Sequence, residues 1–231
     1  STLCFPLGNL APEGSVIKST SIDPSVLDKN GVYNLIGPAR VFTTEREAVQ
    51  AVKGLGSKKV SPGDVIVLHG RGPMGAGMEE VAQVALALRH LSWGKEVALL
   101  TDARFSGVST GACVGHISPE ALAGGPLGKI KDNDLIEIKI DTVKLLGTID
   151  FCGNKENKLS SEEALKTLEA RGPNDDLKPD ARLHADTHLW ATLQNISGGT
   201  WGGAVYDSEK IIDVIKAGEQ ALKDKVLNQI S

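Results

Sequence analysis

The chain has 231 residues, 41% of them hydrophobic and 23% charged, with 25 Lys and Arg against 29 Asp and Glu and a formal charge of −4. This is globular composition, enough for one sizeable core plus an appendage. The balance argues against nucleic acid as the main partner, and the apolar runs are of strand length, far short of a membrane span.

The opening residues, STLCFPLGNLAPEG, lack the charged and apolar regions of a signal peptide. Ser1 is not an initiator methionine, and the text reads as strand and turn from its outset, so the chain is expected to be a segment of a longer protein. An apolar run at 39–43 leads to Thr44 and Glu47, a capping box for a helix through Val52 that Gly54 stops. Residues 60–64 read as a turn and 65–70 as a buried strand. A glycine loop follows, then a helix with Val81, Val84, Ala85, Leu88 and Leu91 on one face, Glu79 and Glu80 in its first turn and Gly94 at its end. Residues 96–101 are the next buried strand, so 65–101 is a β-loop-α-β crossover with parallel strands.

ACVGHI is a further strand candidate, and 119–123 one helical turn. The alternating run 135–141 and its partner 143–150 form a hairpin-like pair, which makes the sheet mixed. At Gly153 the pattern changes to a polar linker. Ser160 and Glu163 box the start of a helix that stops at Gly172-Pro173. A loop and helix, the tight turn SGGTWGG, and a final helix capped by Ser208 and running from Glu209 to about Val226 complete the chain. The fold class is α/β, with a core domain over 1–152 and a helical appendage over 153–231.

Two segments carry the chemistry. GRGPMGAG has four glycines in eight residues between a strand and a helix. It is either an anion cradle of backbone amides, with Gly75 and Gly77 facing a ligand, or a tight turn needing positive φ. It matches neither the Walker pattern nor GxGxxG. Glu79 and Glu80 are either complements to a helix dipole or hard-cation ligands. TDARFSG puts Asp102, Arg104 and Ser106 at the carboxyl end of a buried strand, where α/β sheets gather ligands. Arg104 suits a bidentate carboxylate. Ser106 suits a helix cap, or a base or nucleophile where positive charge lowers its pKa. Ser109 adds a hydroxyl. His116 reads as a structural histidine, and Cys113 as a small buried hydrophobe. Cys4, Cys113 and Cys152 have neither disulfide nor cluster spacing, so reduced thiols in the cytoplasm are expected. In the appendage Arg182, His184, Asp186, His188, Trp190 and Trp201 form either a surface lid or a substrate-discriminating edge.

GNLAPEGSVIK, VIVLHGRGPMGAGMEE, TDARFSG and GHISPEALAGGPLGKIKDNDLIEI, in this order, resemble the C-terminal domain of the dihydroxy-acid dehydratase and phosphogluconate dehydratase family. DARLHADTHLWATLQNISGGTWGGAVYD resembles its xylonate-acting, sugar-acid subgroup. The resemblance implies a swivelling, barrel-like mixed sheet with flanking helices. It implies dehydration of a sugar acid to a 2-keto-3-deoxy acid, with magnesium and an iron–sulfur cluster in the full-length protein. It maps a magnesium-ligating glutamate onto Glu80 and the base onto Ser106; beside them, Arg104, Ser109, Gly75 and Gly77 are expected about the substrate. Cluster cysteines would lie in a missing N-terminal domain, and the whole protein would be a homo-oligomer. Alone, this chain is expected to bind no cofactor and to be inactive. Glu79 stands where the family usually has proline, which leaves the choice between Glu79 and Glu80 open, and Ala103 stands where it often has glycine. The alternatives are a branched-chain dihydroxy-acid dehydratase domain and an anion-binding module without chemistry.

Overall fold

The computed structural model describes residues 2–107 and 109–230, excluding the side chains of Trp201 and residues 226–230. Its contacts divide the chain into Ser1–Leu183 and His184–Ser231, later than the expected boundary at 152, which falls inside a strand.

The first unit is built on an eight-stranded mixed sheet in the order β1-β2-β6-β5-β4-β3-β7-β8. The strands are β1 (Leu3–Cys4), β2 (Gly14–Lys18), β3 (Val32–Phe42), β4 (Val65–Leu68), β5 (Ala98–Thr101), β6 (Ala112–Ser118), β7 (Asp134–Asp141) and β8 (Leu146–Asn154). β3, β4, β5 and β6 run parallel, and the flanking pairs are antiparallel. β4 and β5 are buried on both faces, which is why VIVL and ALLT read as unbroken apolar runs. Val65, Val67, Ala98 and Leu100 point into one cluster with Ile136, Ile138, Ile149 and Phe151. Ile66, Leu68 and Leu99 point the other way, against α1 (Glu45–Val52) and α3 (Gln83–Arg89).

β3 is longer than its sequence suggests. Its residues 39–42 pair in parallel with β4, while 32–38 pair antiparallel with β7. Gly37 and Pro38 sit at the change of partner. A Cβ at Gly37 would lie 2.0 Å from the Gly63 carbonyl oxygen, so the close approach needs glycine.

One N-terminal segment joins the two edges of the sheet. β1 pairs with β2, and the chain then crosses to β8, where Leu7 N–H donates to Gly147 O (3.2 Å) and Ile149 N–H to Leu7 O (2.8 Å). Asn9 fixes the seam. Its side-chain oxygen accepts from Phe151 N–H (2.7 Å), and its Nδ2 donates to the Phe151 carbonyl (2.9 Å). The curled sheet is thereby barrel-like, as the resemblance implied.

Helix starts follow the sequence where the cap is local. Thr44 accepts from Glu47 N–H at the start of α1, and Ser160 and Glu163 form the full reciprocal box of α4 (Ser161–Ala170). α4 belongs to the first unit, with Ala164 and Leu168 buried in the barrel cluster. α3 begins at Gln83, so Glu79 and Glu80 are not in its first turn. Its cap comes from another helix: the Glu45 carboxylate accepts from Gln83 N–H (2.6 Å) and Val84 N–H (3.2 Å). An unexpected single turn, α2 (Pro73–Ala76), stands inside the glycine loop.

The second unit holds α5 (Ala185–Ile196), a 3-10 turn over Thr200–Gly202, and α6 (Ser208–Ile230). Asp207, not Ser208, caps α6, its carboxylate accepting from Lys210 N–H at 3.0 Å. Among the described residues no helix is long and apolar enough to cross a membrane.

Candidate active site

The loops after β4 and β5 meet at the carboxyl ends of the parallel strands, the usual ligand position in such sheets. Asp102, expected to face a ligand, has an internal role. It is 2% exposed, and one carboxylate oxygen accepts from Gly70 N–H and Ala121 N–H, both at 3.0 Å. The other accepts from Arg71 N–H at 2.9 Å. Burial pushes its pKa up, against the pull of those three amides. Glu120 is the second internal carboxyl, unrecognised in the sequence. Both its oxygens lie within hydrogen-bond reach of Met74 N–H, at 3.1 and 3.0 Å, and burial first, then the Asp102 charge, push its pKa up to about 8.

These two carboxyls answer the question of the glycine loop. Its amides serve the protein: Gly70 and Arg71 go to Asp102 and Met74 to Glu120, while Gly77 N–H donates to Pro73 O at 3.1 Å. Gly75 is buried and its carbonyl accepts from Asp180 N–H at 2.8 Å. Gly77 takes φ +67°, and a Cβ on Gly75 would meet the Gly70 carbonyl oxygen at 2.0 Å. The tight-turn reading accounts for these glycines.

Glu79 and Glu80 lie in extended backbone. Glu80 forms a parallel bridge with Arg104, in which Arg104 N–H donates to Glu79 O (3.2 Å) and Val81 N–H to Arg104 O (2.9 Å). Successive side chains of extended backbone point to opposite sides, so the two carboxylates separate. That of Glu79 is gripped by the Arg71 guanidinium, 2.6 Å from Nε and 2.5 Å from Nη2. That of Glu80 stays 35% exposed, 3.5 Å from Arg104 Nη1.

Two residues beyond Arg104, Ser106 lines a cavity of about 200 Å³ together with Ser109, Lys18, Phe105 and His116. Lys18 Nζ donates to Gly107 O at 2.9 Å, which places a cation at this loop. Val108, between the two serines, lies outside the described residues. His116, read from sequence as structural, shares the cavity. Its pKa is lowered by burial first and by the Arg104 charge second, so it is a neutral imidazole at neutral pH. Its φ of 52° is an unusual conformation for a non-glycine residue. That turn, invisible in ACVGHI, sets the end of β6 against the loop after β5. A larger cavity of about 430 Å³, between 20–24 and 88–97, holds none of the expected site residues.

Glu80 fits as one carboxylate ligand of a hard cation, being accessible and only loosely paired. No group of three His, Cys, Asp or Glu able to hold a metal exists among the described residues. The cysteines do not fit an iron–sulfur cluster. All three are buried thiols on separate strands, β1, β6 and β8, and burial raises the pKa of each. In the second unit, Asp186 and His188 are exposed on α5, Trp190 is half-buried, and His184 stands at the N-terminal boundary of the helix without a side-chain cap. Arg182 belongs to the first unit, paired with Asp180 at 3.2 Å.

Comparison with known proteins identifies relatives of this arrangement. The model of the dihydroxy-acid/6-phosphogluconate dehydratase C-terminal family matches residues 2–175. The chain is 55% identical to the D-xylonate dehydratase YagF of Escherichia coli (strain K12) over 222 residues, 96% of this chain and 33% of that protein. It is 55% identical to the D-xylonate dehydratase YjhG of the same strain over 213 residues, 91% of the chain and 32% of the relative. A dihydroxy-acid dehydratase of Lachnospira eligens is 43% identical over 157 residues, 68% of the chain. The chain thus spans about a third of the length of its xylonate-acting relatives.

Proposed function

The chain belongs to the dihydroxy-acid/6-phosphogluconate dehydratase family as its C-terminal domain, and from that premise we propose that it is the catalytic C-terminal half of a sugar-acid hydro-lyase, with xylonate as substrate. The observation that carries the substrate is coverage. Likeness to the two D-xylonate dehydratases extends over 96% and 91% of the chain, whereas the dihydroxy-acid dehydratase covers 68%. The branched-chain alternative is separated by assaying the full-length enzyme on xylonate and on 2,3-dihydroxy-3-methylbutanoate. Preference for the latter would overturn the assignment.

In the proposed mechanism Arg104 holds the substrate carboxylate and Ser109 a hydroxyl, in a space bounded by the loop that Gly75 and Gly77 shape. Ser106 Oγ takes the C2 proton. The electron pair of the broken C–H bond forms the C2–C3 double bond, and the C3 hydroxyl takes the proton back from Ser106 Oγ and leaves as water, which restores the base. The resulting enol tautomerises to the 2-keto-3-deoxy acid. An alcohol acts as a base only where positive charge stabilises its alkoxide, and Lys18 and Arg104 supply part of that charge. Magnesium held partly by Glu80 would supply Lewis acidity toward the developing charge. The cluster, for which this chain's cysteines are unsuited, and the other magnesium ligands are assigned to the N-terminal part of a cytoplasmic homo-oligomer.

Two expectations test this reading. Glu80→Gln in the full-length enzyme should raise the magnesium concentration for half-maximal activity, and Glu79→Gln should raise it less, because Glu79 is engaged by Arg71 whereas Glu80 is only loosely paired with Arg104. A magnesium requirement unchanged by either substitution would remove the metal role. The isolated chain should fold yet stay colourless after anaerobic incubation with iron and sulfide, since a cluster needs about three or four converging thiolates. Visible absorbance reads this directly, and a stable brown protein would contradict the two-part architecture.

A further inference from the structure

We propose that Arg71 is a positioning residue that closes the glycine loop on itself and thereby presents the Glu80 carboxylate to the site; this rests on the metal role assigned to Glu80 above. Arg71 stands at the start of the loop and Glu79 at its end. Its guanidinium bridges them through two hydrogen bonds of 2.6 and 2.5 Å, a planar fork on a carboxylate that a lysine cannot reproduce. The arginine side chain is only 9% exposed, against 31% for Glu79. The pinch is therefore shielded from the screening that makes surface pairs weak.

A second clamp acts from outside. The irregular segment after α4 crosses the loop. Asp180 N–H holds the Gly75 carbonyl, the Asp180 carboxylate lies 3.4 Å from Arg71 Nη2, and Asn174 N–H donates to Gly128 O at 2.9 Å. Arg182 flanks Asp180 at 3.2 Å, so Asp180 is itself held between two guanidinium groups. Leu177 packs where a Cβ on Gly70 would be, 2.8 Å from its Cδ1.

The geometry makes the coupling to Glu80 direct. The bridge to Arg104 keeps 79–81 extended, and extended backbone forces neighbouring side chains apart. Fixing Glu79 on Arg71 therefore fixes the direction in which Glu80 leaves the chain. Without the fork, Glu79 and Glu80 become two adjacent carboxylates on a loop whose φ-positive hinges, Gly77 and Met78, lie immediately before them.

The test uses the full-length enzyme and Mn²⁺ alone as probe, with affinity read by titration calorimetry without turnover. Residues that orient a metal ligand typically contribute about 10–100-fold to affinity, so Arg71→Gln should weaken Mn²⁺ binding by about tenfold. Arg71→Lys should recover part of it, and the double variant Arg71→Gln, Glu79→Gln should be no weaker than Arg71→Gln alone. Asp180→Asn, which leaves the fork in place, should weaken binding less and supplies the readout if Arg71→Gln fails to fold. Glu80→Gln separates the two ideas. If Glu80→Gln weakens Mn²⁺ binding while folded Arg71 and Asp180 variants bind normally, the positioning role falls and the metal role stands. If Glu80→Gln leaves binding unchanged, the metal reading falls and this inference with it. A lowered unfolding midpoint with unchanged Mn²⁺ affinity would make Arg71 structural only.

Discussion

Ser106→Ala in the full-length enzyme is expected to turn over at least about a hundredfold more slowly, the usual consequence of removing a general base. The fall should appear in kcat, because in the proposed mechanism the hydroxyl acts on the C2 proton while Arg104 and Ser109 remain to bind substrate. Stability should hardly change. Ser106 lies in an irregular loop, half-buried at the cavity wall, and its carbonyl, which the substitution leaves in place, accepts from Ser109 N–H at 3.2 Å. Steady-state kinetics on xylonate beside a urea unfolding curve separates the two quantities. Near-normal kcat in a well-folded variant would take the base role from Ser106 and turn attention to His116, which lines the same cavity as a neutral imidazole.

The largest stability effect is expected at Asp102→Ala. Three buried amides, those of Gly70, Arg71 and Ala121, lose their acceptor together. Each unsatisfied buried donor costs about 1–3 kcal/mol, so the gross loss should be about 3–9 kcal/mol, much of the stability of an ordinary domain. Some of this is offset, since the carboxylate is itself expensive to bury and presses on Glu120. Asp102→Asn keeps one oxygen but sets an NH₂ group toward an amide, so it should fall between alanine and wild type. Urea denaturation of the three proteins orders them, and an alanine variant within about 1 kcal/mol of wild type would show that water satisfies the loops without Asp102.

What the sequence revealed and what it hid divide along the range of the interactions. β4, β5, α1 and α4 were legible because their signals are local: unbroken apolar runs, and caps three residues from the groups they satisfy. The start of α3 was not, because its cap is Glu45, 38 residues earlier. The front half of β3 was hidden by Gly37 and Pro38, residues that usually break strands but here sit where the strand changes partner. Of the proposed site, Ser106, Ser109, Arg104 and Glu80 lie on the two loops the sequence singled out. The roles of Asp102 and Glu120 as internal acceptors could not be read, since a carboxylate facing amides and one facing a ligand look alike in text. The same holds for Arg71 and Asp180, which meet across 109 residues.

The seam between the N-terminal segment and β8 sets an order of events during synthesis. Asn9 and Phe151 are 142 residues apart. At translation rates of about 5–20 residues per second, the first partner waits roughly ten seconds for the second to leave the ribosome. During that interval the pairs among β1 to β7 can form, and once β8 is made its outer edge stays open to a strand from another nascent chain until the segment about Leu7 and Asn9 docks on it. Crowded polysomes are therefore where this domain is most exposed to misassembly, and the segment about Leu7 and Asn9, made before the rest of the sheet, ends that exposure by being among the last to dock.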